Sequence, residues 1–318
     1  MTLSNGQPKF QAAAKRIQAS SYFHSFIIAK NTVYPDYPFQ SNYHTIGPHR
    51  IHYVDEGRGD TIVMVHGNPT WSFYYRRLIA LLSREHRVIV IDHMGCGLSD
   101  KPQDYDYCLQ NHIDNLESLL QSLGVKTFSL VVHDWGGAIG MGVAAKNPDA
   151  LTRAMVLNTA AFRSKRIPFR INVCRWPIIG EPLVRWLNGF AGPAVFMAVS
   201  RKMDKEVARA FLAPYDSYQN RVAVAAFVKD IPLTPAHPSY ETLLQVERGL
   251  EKLQERSLPM LICWGGKDFC FNRDFYDEWC ERFPSAETHY FSNSGHYILE
   301  DSFEAIAPLA EKFFRGNQ

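Results

Sequence analysis

Asp134 stands in the run Val132-His133-Asp134-Trp135-Gly136-Gly137, between a β-type apolar stretch and a small-residue helical one. A sharp strand-to-helix turn of the G-x-S-x-G kind lifts its central side chain above a sheet; Asp134 takes the place of that serine, with Gly136 two residues on. Val132 departs from the first glycine of the pattern. Two further pieces follow later strands: Asp268 in Trp264-Gly265-Gly266-Lys267-Asp268, past the next-to-last strand, and His296 in Ser294-Gly295-His296, past the last. A fourth, His66-Gly67-Asn68-Pro69-Thr70-Trp71, follows an early strand. Sheets of this type gather ligand-binding groups at the carboxyl ends of their strands, so the four pieces are expected to converge.

Their chemistry is that of covalent catalysis. An aspartate at the turn attacks an electrophilic carbon and leaves an ester on its own side chain. Water deprotonated by His296 can then attack the Asp134 carbonyl carbon, while Asp268 orients the imidazole and stabilises its charged form. The backbone N–H groups of Asn68 and Trp135 are the expected oxyanion-hole donors. The Trp135 indole and the Asn68 carboxamide can also donate to a departing anion, which suggests a halide or a carboxylate as leaving group. The order nucleophile, acid, histidine is that of α/β-hydrolases, and the absence of Ser excludes a serine esterase at this turn.

The elements that must position these groups can be read from periodicity. Arg50–Gly57 alternates like a strand, whereas Thr61–Val65 and Val88–Ile91 are continuous β-branched and apolar runs, which suit strands covered on both faces. Leu109, Ile113, Leu116, Leu119, Leu120 and Leu123 recur at helical spacing until Gly124. Thr127–Val132 predicts a buried strand, Gly136–Lys146 a helix, Ala154–Leu157, Met260–Trp264 and Thr288–Phe291 further strands, and Phe303–Phe314 a closing helix. Strands alternating with helices define a mostly parallel central sheet flanked by helices. From 162 to 238 the rhythm breaks into proline-punctuated helical segments, read as an inserted helical cap between core segments 37–161 and 239–318. Residues 1–36 form an N-terminal extension, with a helix expected near Pro8–Ala19 and an apolar stretch at Tyr22–Ile28.

Composition sets wider bounds. The 318 residues are 46% hydrophobic, 21% charged and 13% aromatic, enough for a sizeable core. A net charge of +2 without runs of like charge argues against nucleic acid as a partner. Six dispersed cysteines, no secretory apolar region and no stretch of ~20 apolar residues predict a soluble cytoplasmic protein with reduced thiols. No metal or cofactor is expected: no H-E-x-x-H is present, and the loop Asp92–Asp100 lacks G-x-G-x-x-G spacing. Cys96 has no partner to activate it; His66 and His133 are read as parts of motif loops, and His93 as support for the turn after its strand.

The motifs HGNPTW, HDWGG and SGHY resemble the haloalkane dehalogenase family of α/β-hydrolases, over most of residues 45–315. The resemblance implies that Asn68 and Trp135 are the two halide-stabilising residues. Some members carry the acid as a glutamate after the sixth strand, but Asn158-Thr159-Ala160 follows here, which leaves Asp268. Leu157–Phe162, Pro214–Tyr218, Asp230–Leu233, Trp264–Phe269 and Gly295–Asp301 are more narrowly similar to the β-lactone decarboxylases of bacterial long-chain olefin biosynthesis. That likeness implies that Asp134 opens a strained lactone which loses its carboxyl group to give a cis-alkene, by attack on either the ring carbonyl or the β-carbon. It also leaves open protein partners in a biosynthetic assembly, and a homo-oligomer.

Other readings compete. An epoxide hydrolase shares the Asp nucleophile; Asn68 counts against it, while Tyr215 and Tyr218 would serve as its ring-oxygen acids. An α/β-hydrolase fold can also act as a ligand receptor, although the catalytic set here is intact. Arg163–Arg185 carries six cations against Glu181, interleaved with apolar residues. It reads as a solvated cap surface or as a docking face for a membrane or an acidic partner. Phe190, Phe196, Met197, Phe211 and Phe227 are candidates for the wall of an apolar substrate tunnel, or for cap core.

Overall fold

The computed structural model describes residues 34–315, so the expected helix near Pro8–Ala19 and the stretch Tyr22–Ile28 lie outside the described residues. From Phe39 on, the chain forms one compact unit. Its strands are β1 (Asn42–Ile46), β2 (His49–Gly57), β3 (Thr61–Val65), β4 (Arg87–Ile91), β5 (Phe128–Asp134), β6 (Leu151–Thr159), β7 (Met260–Gly265) and β8 (Glu287–Phe291). They make a single sheet in the order β1-β2-β4-β3-β5-β6-β7-β8, parallel from β4 to β8, with β1 and β2 antiparallel at one edge.

The burial follows from this order. Every residue of β5, and all but the first of β3 and β4, is buried, because crossover helices cover both faces of a parallel sheet. Edge strand β1 alternates instead between half-buried and exposed side chains, and its short polar sequence Asn-Tyr-His-Thr-Ile carries too little apolar signal to be read as a strand. Helices Leu109–Ser122, Trp135–Lys146 and Tyr240–Glu255 pack together on one face. The third was not anticipated from the sequence. It docks through Gly249, where a Cβ would stand 2.2 Å from that of Ala145.

Between β6 and β7 the chain leaves the sheet for the helices Phe169–Val173, Gly180–Arg185, Ala191–Met197, Lys205–Leu212 and Val222–Lys229. Because β3 to β8 run parallel, the segments following β3, β5, β7 and β8 emerge at one edge, and residues 200–224 of this inserted stretch hydrogen-bond to those following β3 and β8 there. No helix among the described residues is long and apolar enough to cross a membrane.

Candidate active site

The turn after β5 is built for its side chain. The ladder shifts register between His133 and Asp134, Asp134 takes φ +53° and ψ −129°, and the helix Trp135–Lys146 starts at the next residue. Left-handed backbone at a non-glycine costs about 1–3 kcal/mol and persists only where its surroundings enforce it. Here the enforcement is close packing: a Cβ on Gly136 would lie 1.9 Å from the Val65 carbonyl oxygen, and one on Gly67 would lie 1.9 Å from Asp134 Oδ1. Thr159 Oγ1 donates to the Asp134 carbonyl from the neighbouring strand.

Asp134 Oδ1 accepts a hydrogen bond from the Asn68 backbone N–H at 2.6 Å, and the Trp135 N–H is a second backbone donor to the carboxylate. Oδ2 lies 3.6 Å from His296 Nε2, and His296 Nδ1 lies 2.7 Å from Asp268 Oδ2. Asp268 is fixed in turn by the N–H groups of Cys270 (2.7 Å) and Phe271 (3.1 Å) on Oδ1. The structure thus brings Asp134, His296, Asp268, Asn68 and Trp135 into one cluster, from segments up to 228 residues apart between Asn68 and His296.

The electrostatics match this geometry. Burial raises the Asp134 pKa; the His296 charge and the Asn68 and Trp135 N–H groups restrain the rise without cancelling it. Burial alone would lower that of His296, but the Asp268 carboxylate, by charge and hydrogen bond, and Asp134 outweigh it and hold the imidazole above its ordinary value. Cys270 also faces the cavity, yet burial first, then the charges of Asp268 and Asp134, push its thiol well up, so it does not compete as a nucleophile. Burial likewise lifts Cys96 to about 12.

Asp134, Asn68, Trp135 and His296 open onto a largely apolar cavity of about 500 Å³. Asn68 Nδ2 donates to the Val224 carbonyl at 3.1 Å, so one helix beyond β6 orients the carboxamide. The Trp135 indole N–H has no hydrogen-bond partner among the described residues, and Phe227 packs against its ring with centroids 5.4 Å apart. Phe190 and Met197 line the cavity as expected. Phe211 and Phe227 do not: Phe211 is buried against Phe73 and Tyr297, and Phe227 stacks on His112. Phe196 points to solvent. Helical spacing alone could not separate these three from wall residues, since all are apolar and periodic.

Tyr215 and Tyr218 stand outside the cavity wall. The Tyr215 hydroxyl is buried and donates to the Thr70 carbonyl at 3.0 Å, and Tyr218 packs at a tilt against Trp186 with the Arg185 guanidinium over its ring. Neither lines the cavity onto which Asp134 opens, so the two tyrosines lend no support to epoxide hydrolysis.

Two supporting residues were missed as such. Asn158, with φ +31° at the end of β6, donates to Asp268 Oδ2 at 2.9 Å; its amide also accepts from Gly265 N (2.8 Å) and donates to Gly265 O (3.1 Å). A buried asparagine in the apolar run Val156-Leu157-Asn158 was the available signal. His133 Nε2 donates to the His296 carbonyl at 2.9 Å while its ring stacks on Tyr74. The loop Asp92–Asp100 is structural: Asp92 accepts from Ser72 N, His52 Nδ1 and Leu98 N at 2.6–2.9 Å. No group of His, Cys, Asp and Glu that could hold a metal occurs among the described residues.

Sheet order, turn and site together define an enzyme of the α/β-hydrolase class, and the chain belongs to the alpha/beta hydrolase fold family, whose model matches residues 60–303. More particularly, it is 46% identical over 283 residues to a cis-3-alkyl-4-alkyloxetan-2-one decarboxylase of Shewanella oneidensis, covering 87% of this chain and 88% of that protein. A protein of the same name from Xanthomonas campestris is 39% identical, over 89% and 99% of the two chains. Among solved structures, a haloalkane dehalogenase from Bradyrhizobium elkani superposes with a TM-score of 0.79 at 21% identity, covering 88% of this chain and all of that one, and shares the fold.

Proposed function

We propose that this protein decarboxylates long-chain cis-3,4-dialkyl β-lactones to cis-alkenes, with Asp134 as nucleophile, His296 and Asp268 as its histidine and acid, and Asn68 and Trp135 as donors to the leaving group. The observation that carries this reading is a buried carboxylate facing an apolar cavity beside an indole N–H that has no hydrogen-bond partner among the described residues. The 46% and 39% identity to two oxetan-2-one decarboxylases supports the same substrate class. In this reading residues 162–238 are the cap over a core of 37–161 and 239–318. A cytoplasmic location accords with six cysteines that form no disulfide.

Asp134 Oδ2 attacks the β-carbon of the ring. The ring C–O bond breaks, and its electron pair leaves as a carboxylate that receives hydrogen bonds from Trp135 and Asn68. The C–CO₂ bond then breaks, and its electrons form the alkene as the Asp134 ester bond breaks, which returns a free carboxylate. The products are CO₂ and alkene, with no water consumed. Inversion at the attacked carbon followed by anti elimination keeps the two alkyl chains cis. The His296 imidazolium, held by Asp268, balances the Asp134 charge between turnovers.

Purified protein incubated with a long-chain cis-β-lactone and, separately, with 1-bromobutane separates this reading from dehalogenation. Alkene without bromide supports it; bromide without alkene sinks it. Running the lactone reaction in ¹⁸O-water discriminates further, because β-carbon attack leaves Asp134 unlabelled over many turnovers, whereas hydrolysis of an aspartyl ester labels it. Asp134→Asn is expected to abolish alkene formation.

A further inference from the structure

The segment Lys165–Leu187 presents Phe169, Trp176, Ile178, Ile179, Trp186 and Leu187 to solvent. Phe169 is 72% exposed and yet lines the cavity, and the Trp176 ring packs edge-on against it at 6.2 Å, so the exposed apolar surface is continuous with the cavity mouth. Ile178 and Ile179 form the turn that enters the helix Gly180–Arg185, and Trp186 and Leu187 leave its far end, about 9 Å on by the rise of six residues.

Ile178 is the telling residue. It is 93% exposed and holds φ +71°, a conformation in which a β-branched side chain is a rare outlier. Neither packing nor backbone selects isoleucine here; asparagine or glycine would fit the turn better. An exposed apolar tip kept against local preference marks a surface that is covered in use. The charge around it says by what. Across residues 161–203 Glu181 is the one carboxylate, and it is already bonded to Arg185 and Lys229. Arg163 and Arg166 pair with Glu247 and Asp274, whereas Lys165 and Arg170 have no carboxylate partner among the described residues. A second copy would set cations against cations. Apolar and tryptophan side chains in a segment whose Lys165 and Arg170 lack carboxylate partners among the described residues match a bilayer surface containing anionic lipid.

We propose that this face is a peripheral membrane-docking surface that seats the cavity mouth on anionic bilayers, so that apolar substrate enters and product leaves through the acyl layer. The proposal takes from the proposed function only that the substrate is long-chained and apolar. It is tested by co-sedimentation of the full chain with vesicles of phosphatidylcholine containing a minority of phosphatidylglycerol, and with phosphatidylcholine alone. The expected result is salt-sensitive binding to the mixed vesicles. Ile178→Asn with Ile179→Ser should weaken it about ten-fold or more, at an undiminished melting temperature. Lys165→Glu with Arg170→Glu should weaken binding to the anionic vesicles alone, by about five-fold per charge. No vesicle binding, or binding that both pairs leave unchanged, overturns the proposal. So does a concentration-dependent dimer in sedimentation velocity that the isoleucine pair abolishes. Turnover of a short, water-soluble β-lactone should be unchanged in the isoleucine pair. If the wild type turns over no lactone at all, the proposed function fails while the vesicle result stands.

Discussion

At the scale of single residues, the site works by holding a carboxylate and an imidazole away from water in a mutually stabilising pair. In the proposed mechanism attack requires ionised Asp134, whose pKa is raised chiefly by burial. The acid limb of kcat/KM against pH should therefore fall above the ordinary aspartate range. The same shift is a stability statement. A carboxyl whose folded pKa exceeds its unfolded one favours the fold below the unfolded value, and that contribution is lost as pH rises through the folded value. Asp134→Asn should consequently melt higher than wild type at neutral pH, by about 2–4 °C for each kcal/mol relieved; an equal or lower melting temperature would contradict the cost assigned to this burial. Asn158 acts one step further back, through Asp268. Asn158→Ala removes a donor to that carboxylate and strands the Gly265 N–H, at about 1–3 kcal/mol, in backbone that asparagine tolerates better than alanine. We expect a lower melting temperature and a loss of kcat of about ten-fold, together with a displaced pH profile. A merely structural role would leave that profile where it is.

At the scale of elements, the loop bearing His296 is fastened as firmly as the turn bearing Asp134. The buried Asp301, in the short helix Ile298–Asp301, accepts from Gly295 N at 2.7 Å, Ser200 N at 2.8 Å and Arg201 N at 3.0 Å. One carboxylate thus joins the loop bearing His296 to the segment that follows the cavity-lining helix Ala191–Met197. Tyr297 N donates to the Ala198 carbonyl across the same junction. Glu300, its neighbour, receives a two-pronged bond from the buried Arg76, at 2.6 and 2.9 Å. Asp301→Ala leaves three N–H groups unpaired and should destabilise the protein by about 3 kcal/mol or more, with new proteolytic cleavage within 198–203. Native-like melting and an unchanged digest would show that the junction is held by other contacts.

At the scale of the whole molecule, the parallel sheet supplies a rigid edge and the helices between β6 and β7 supply the cavity's roof. That division lets specificity change without disturbing the chemistry. Ala194 lies in the roof helix Ala191–Met197 and faces the cavity. Ala194→Phe should shorten the alkyl chain accepted, raising KM for long-chain β-lactones by about ten-fold while short ones are processed nearly as before. A uniform loss over all chain lengths would instead mean that the helix positions the site itself.

The sequence by itself determined the strands of the parallel sheet, the placing of Asp134, Asp268 and His296 after β5, β7 and β8, and the order in which they occur. These are local matters, because buried parallel strands write continuous apolar runs and a strand-to-helix turn needs its small residues at fixed offsets. Only the tertiary structure decided which aromatics of residues 162–238 line the cavity, that Tyr215 and Tyr218 lie outside its wall, and that Asn158 and His133 brace the Asp268–His296 pair. A side chain's partners across 30 to 160 residues leave no periodic trace. Phe190, Phe211 and Phe227 are alike as letters, and only packing separates a cavity wall from a core.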